Sequence, residues 1–86
     1  MGPVELRYAP ADGAAARLGL VVGRRAARLA TRRNRLKRLM RESFRTRRSR
    51  LPVVDVVARL TRPVRDEAEL TESLDAAWQR LERVAA

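Results

Sequence analysis

Neither cysteine nor histidine occurs in this sequence. Their absence excludes disulfides, zinc sites, thiol nucleophiles and imidazole bases together. Aromatic residues are almost as scarce, with Tyr8, Phe44 and Trp78 as the whole supply. Long apolar runs are missing too. A stretch such as LGLVV falls well short of the roughly 20 residues a membrane span needs, and no signal-like segment opens the chain. The sequence therefore predicts a cytosolic protein without a membrane partner. Acidic residues are the minority charge: 20 Lys and Arg stand against 10 Asp and Glu in 86 residues, a net +10. Such an excess points to a polyanionic partner.

A chain of this length forms one domain, residues 1–86, with a core small enough that a bound partner can contribute to its stability. The charge is unevenly placed. Residues 1–50 carry 15 basic against 3 acidic side chains, whereas residues 51–86 carry 5 against 7. The first part is expected to bind and the second to support. All the basic residues but Lys37 are Arg; that favours bidentate phosphate contacts and stacking on bases, although a high-GC genome produces the same bias.

Residues 4–8, VELRY, alternate apolar and polar and predict a strand ended by Pro10. In RLGLVVG, residues 17–23, Leu18, Leu20 and Val22 share one face while Gly19, Val21 and Gly23 share the other. The two glycines suit either a closely packed neighbour or a shallow floor for a ligand. Pro52 introduces VVDVVARL, residues 53–60, a third strand. Leu70, Leu74, Ala77, Trp78, Leu81 and Val84 repeat at helical spacing. That closing helix starts either after Asp66, which forms a capping box with Glu69, or after Thr71. Trp78 lies within its apolar stripe and is expected in the core.

Between the second and third strands lies RRNRLKRLMRESFR, residues 32–45, with Thr31 as a candidate N-cap. At 100° per residue, Leu39, Met40 and Phe44 fall within about 80° of Leu36, while Asn34, Arg38, Arg41 and Arg45 cluster opposite. Arg47 would fall in the middle of the apolar side, so the helix is expected to end near residue 46. The order strand, strand, helix, strand, helix predicts an α+β two-layer sandwich with a three-stranded sheet.

No catalytic constellation is present. The serines have no histidine, and the acidic group Asp66, Glu67, Glu69 and Glu72 sits where it serves a helix dipole. Asp55 with Glu42 is a poor candidate for a metal pair, and GLVVGRR lacks the spacing of a phosphate loop. What remains is the basic helix, whose seven cations in fourteen residues repel one another in the absence of a counterpart. No helix precedes it as a helix-turn-helix would require, so DNA is not the expected partner. Structured RNA is, with Tyr8 as the candidate for base stacking. A membrane-surface or partner-helix role for the same amphipathic helix is the weaker alternative.

In order, RLGLVV, the pair Arg24 and Arg25, RRNRLKRLMRESFR, LPVVDVVARL and a closing helix resemble the bacterial ribonuclease P protein family. Its signature, Arg-Asn-Arg followed by Lys-Arg and Arg-Glu-x-Phe-Arg, is matched by Arg33, Asn34, Arg35, Lys37, Arg38, Arg41, Glu42, Phe44 and Arg45. The resemblance implies a left-handed crossover through the basic helix, against the usual hand. It also implies binding to a catalytic RNA subunit that uses Mg²⁺ to cut the 5′ leader from precursor tRNA, with no catalytic residue in the chain itself. The implied RNA-binding set is Arg24, Arg25, Arg28, Arg32, Arg33, Asn34, Arg35, Lys37, Arg38, Arg41 and Arg45, with Tyr8 against the leader. The family ordinarily opens with a helix and a further strand before the segment at residues 4–8. This sequence is accordingly expected to be a short form with a reduced leader cleft. A structured-RNA-binding or ribosome-associated protein without a role in cleavage is the alternative function.

Overall fold

Strict alternation in Val54–Leu60 makes this segment (β3) the centre of the sheet: Val54, Val56, Ala58 and Leu60 are buried on one face, and Asp55, Val57 and Arg59 point to the other. The computed structural model describes residues 2–84, so Met1 lies outside the described residues. Val4–Pro10 (β1) pairs antiparallel to β3, with Val4 opposite Leu60 and Leu6 opposite Ala58. Arg17–Val22 (β2) pairs parallel to it, with Leu18 opposite Val56 and Leu20 opposite Ala58. The sheet order is β1-β3-β2. A parallel β2/β3 pair demands a crossover, and the basic helix Ala30–Arg47 (α1) supplies it. The closing helix Glu67–Val84 (α2) packs beside α1 on the same side of the sheet.

The core between these layers follows the sequence stripes. Leu36, Met40 and Phe44 are buried from α1, and Leu70, Leu74, Ala77, Trp78 and Leu81 from α2. Trp78 is fully buried; its ring meets Phe44 edge-on at 5.7 Å between centroids, and its Nε1–H donates to Ser43 Oγ at 2.9 Å. The one polar atom of the indole thus has a partner, which allows so large a side chain to be sealed inside. At the start of α2, Asp66 Oδ1 accepts the Glu69 N–H at 2.9 Å. This fixes the start that Thr71 had left ambiguous: Thr71 lies inside the helix and donates to Glu67 O.

Four expectations need correction. Thr31 is not an N-cap: α1 starts at Ala30 with Leu29 as the capping residue, and no side chain caps it. Thr31 is already helical and so lacks the extended backbone a capping side chain needs. The first strand runs on to Pro10, because an edge strand tolerates a proline at its end. Helix α1 includes Arg47, whose half-buried side chain lies 3.7 Å from Asp75 and 3.5 Å from Glu82 of α2. A cation on the apolar side is accommodated because the facing helix brings two carboxylates to it. Finally, the flat face of β2 has no packed neighbour among the described residues. Val21 and Val57 are 45% and 41% exposed there, and a Cβ on Gly19 would make only ordinary contact, 3.6 Å from Val57 Cγ2.

Two ion pairs tie neighbouring elements together, one within each layer. Arg17 forks onto both oxygens of Asp55, at 2.7 and 2.9 Å, joining β2 to β3. Arg35 does the same to Glu67, at 2.9 and 3.0 Å, joining α1 to the first turn of α2. Hydrogen bonds from these guanidinium groups hold the Asp55 and Glu67 carboxyls below their usual range, and the Arg65 backbone N–H does so for Glu69. Among the described residues no helix is long and apolar enough to cross a membrane.

The Trp78→Ala variant is expected to lose about 3 to 5 kcal/mol of stability in urea unfolding, as a large core truncation; a loss under about 1 kcal/mol would place the indole outside the core. Acid should destabilise the chain in a definite direction. Carboxyls whose folded pKa is lowered contribute stability above the unfolded value of about 4 and lose it as the pH falls through the folded value. The melting temperature should therefore drop as the pH is taken below about 4, and the Asp55→Asn, Glu67→Gln double variant should show a flatter profile. Parallel profiles would deny these pairs a role.

Candidate RNA interface

Burial of Leu36, Met40 and Phe44 turns the opposite side of α1 to solvent, and Asn34, Arg38, Arg41 and Arg45 are all exposed on it. Arg38, Arg41 and Arg45 recur about one turn apart, near 5 Å along the axis, which gives a ladder of cations. Thr31, Asn34, Arg35 and Arg38 surround a hollow of about 280 Å³ toward the N-terminal end of the face. Lys37 and Arg32 flank the ladder, half-buried. Among the described residues none of Arg32, Lys37, Arg38, Arg41 and Arg45 forms an ion pair.

The chain entering α1 is shaped to add to this surface. Ala26 and Ala27 are buried, and their N–H groups both donate to Gly23 O, at 3.2 and 3.1 Å. That turn faces its apolar residues inward and leaves Arg24, Arg25 and Arg28 exposed. Arg33 locks it: Nη1 donates to Ala27 O at 3.0 Å and to Arg28 O at 2.9 Å. A guanidinium has five N–H donors, so three remain after this duty. Arg35 keeps less in reserve, since Glu67 matches its charge and raises its pKa further through the paired hydrogen bonds. The signature thus splits: Asn34, Arg38, Arg41 and Arg45 face outward and form no ion pair among the described residues, whereas Arg33 and Arg35 also hold the scaffold.

Tyr8 lies elsewhere. It is 46% exposed, on the helix-bearing side of β1, and lines a hollow of about 250 Å³ with Leu6, Ala77, Arg80, Leu81 and Val84. It is therefore on the opposite side of the sheet from Gly19 and Val21. Sequence reasoning missed Arg48, whose Nε donates to Ala16 O at 3.0 Å and pins the loop between β1 and β2 to the end of α1. Nothing in a run of arginines signals which of them reaches a distant carbonyl.

Known proteins settle what this arrangement belongs to. The profile of the family described as ribonuclease P matches residues 2–82. The chain belongs to the ribonuclease P family. It is 47% identical over 73 residues to the "Ribonuclease P protein component" of Thioalkalivibrio sulfidiphilus, a match covering 81% of this chain and 60% of that relative. The protein of the same name from Chromohalobacter salexigens is 46% identical over 69 residues, covering 78% of this chain and 54% of the relative. That of Acinetobacter baylyi is 38% identical over 78 residues, covering 88% and 60%. The chain spans between about half and three fifths of the length of these ribonuclease P relatives.

Substitutions should separate the two kinds of arginine. Arg38→Ala is expected to lower the slope of log affinity against log salt for structured RNA by about one, with amide exchange at Ala26 and Ala27 unchanged. Arg33→Gln is expected to speed exchange at those two amides. If exchange there stays at the wild-type rate, Arg33 does not hold the turn.

Proposed function

We propose that this chain acts as the protein component of a ribonuclease P ribonucleoprotein, laying the exposed face of α1 against the catalytic RNA. The observation that carries the reading is the coincidence of the family signature with a solvent-facing row of cations that form no ion pair among the described residues. Phosphates supply that missing charge, and each contact releases condensed counterions. In this reading Asn34, Arg38, Arg41 and Arg45 form the centre of the contact, Arg32 and Lys37 flank it, and Arg24, Arg25 and Arg28 extend it from the turn. Arg33 and Arg35 contribute chiefly by holding these groups in place.

Hydrolysis that removes the 5′ leader from precursor tRNA belongs to the RNA subunit, as does the Mg²⁺ it uses. In this reading Asp55 and Glu67 serve the scaffold, each being held by a guanidinium. The protein instead lowers repulsion between RNA segments that must approach one another, so that less Mg²⁺ suffices. Tyr8 is the candidate for stacking on the leader, being the one aromatic side chain that is exposed while Phe44 and Trp78 are buried.

Adding the chain to a bacterial catalytic RNA and precursor tRNA at limiting Mg²⁺ is expected to raise the rate of leader removal severalfold. RNA binding with no change in cleavage would instead indicate a structured-RNA-binding or ribosome-associated protein.

A further inference from the structure

The cationic face of α1 continues into a groove beside the sheet. Lys37 and Arg41, one turn apart, stand over a hollow of about 360 Å³ whose remaining walls are Leu18 and Leu20 of β2 and Phe44 of α1. Leu18 and Leu20 point to the helix layer yet stay half-buried, so the helices leave part of their apolar surface uncovered. Strand β2 is also an edge strand, so its backbone groups directed away from β3 have no ladder partner among the described residues. Neither Lys37 nor Arg41 forms an ion pair among the described residues.

This combination is more than a phosphate site needs, because phosphate gains nothing from a leucine floor. It is also unlike an apolar peptide groove, since two cations at the rim would be left without counter-charge. A nucleotide fits both requirements, with an anionic phosphate and a flat base whose faces are weakly hydrated. In a duplex those faces are covered by neighbouring bases, and only an unpaired residue can offer one to a protein.

We infer that the groove between β2 and α1 takes an unpaired base of the RNA partner, with Lys37 and Arg41 on its phosphate and Leu18, Leu20 and Phe44 against the base. The inference rests on the RNA-binding reading of α1 and adds to it a subsite for single-stranded nucleotide. Free backbone groups of β2 lie along the rim, where the edge of a seated base can reach them. The floor then acts through dispersion and burial, and only the rim through charge.

That division gives a test that salt can read. The full chain is titrated with a hairpin RNA carrying an unpaired loop and with a blunt duplex of equal phosphate number, each over a series of salt concentrations. Leu18→Gln, close in size but polar, is expected to weaken binding of the loop RNA by about tenfold with the salt slope unchanged, and to leave duplex binding as it was. Lys37→Ala is expected to lower the slope by about one. Wild-type affinity of Leu18→Gln for the loop RNA would overturn the groove while leaving the α1 reading intact. Failure of the unsubstituted chain to bind either RNA would remove the α1 reading and the groove with it. Photocrosslinking of the unsubstituted chain to loop RNA bearing 4-thiouridine guards against an effect of the substitution on folding. Crosslinks within residues 18–20 or at Phe44 support the groove, and crosslinks found only elsewhere overturn it.

Discussion

Burial of Leu36, Met40 and Phe44 under α1 is the constraint on which the rest of the structure depends. These side chains hold in place a helix whose other face is crowded with like charge. Each buried side chain contributes roughly 1.5 to 3 kcal/mol, whereas each like-charged pair three or four residues apart costs roughly 0.2 to 0.5 kcal/mol. Packing therefore wins, and the helix can display a row of cations that no ion pair neutralises among the described residues. The edge contact between Phe44 and Trp78, with the Trp78 to Ser43 hydrogen bond, fixes the rotation of that helix about its axis. Rotation decides function here, because a turn of one residue would move Arg41 into the place of Met40 and Leu36 into the exposed place of Arg35.

The arginines of this chain look alike in sequence and differ in duty. Arg17 joins two strands, Arg35 and Arg47 join the two helices, Arg33 and Arg48 bind loop carbonyls, and the remainder of the α1 set faces solvent. The acids of the second half explain part of this division. Glu67, Asp75 and Glu82 lie on α2 where they meet α1 from the scaffold side, so that side is neutralised and the outer side keeps its charge. A net charge counted over the sequence conceals this sidedness. The family match says which proteins the chain belongs with, and the geometry says which residues compose the exposed side; RNA binding by that side is the proposal that joins the two.

Features set by neighbours along the chain were legible in the sequence. The alternation of β3, the apolar stripes of both helices, the place of Trp78 in the core and the cap at Asp66 all follow from spacing over a few residues. The outward set Asn34, Arg38, Arg41 and Arg45 was legible for the same reason. Features set by partners far along the chain were not. The order β1-β3-β2, the pairing of Arg47 with α2 and the reach of Arg33 back to the turn depend on where the fold brings other elements. The capping role expected of Thr31 fails on a local detail, the start of α1 at Ala30. The groove beside β2 arises because an edge strand is only partly roofed, and no pattern within β2 announces that.

The central claim is that RNA lies against the outward side of α1 and not against α2 or the open face of the sheet. Arginine-specific chemical footprinting, read by mass spectrometry with and without the catalytic RNA, tests it most directly. The account expects Arg38, Arg41 and Arg45 to be protected by the RNA while Arg80 and Arg83 of α2 keep their reactivity. Protection centred on Arg80 and Arg83, with Arg38 and Arg41 still reactive, would contradict it.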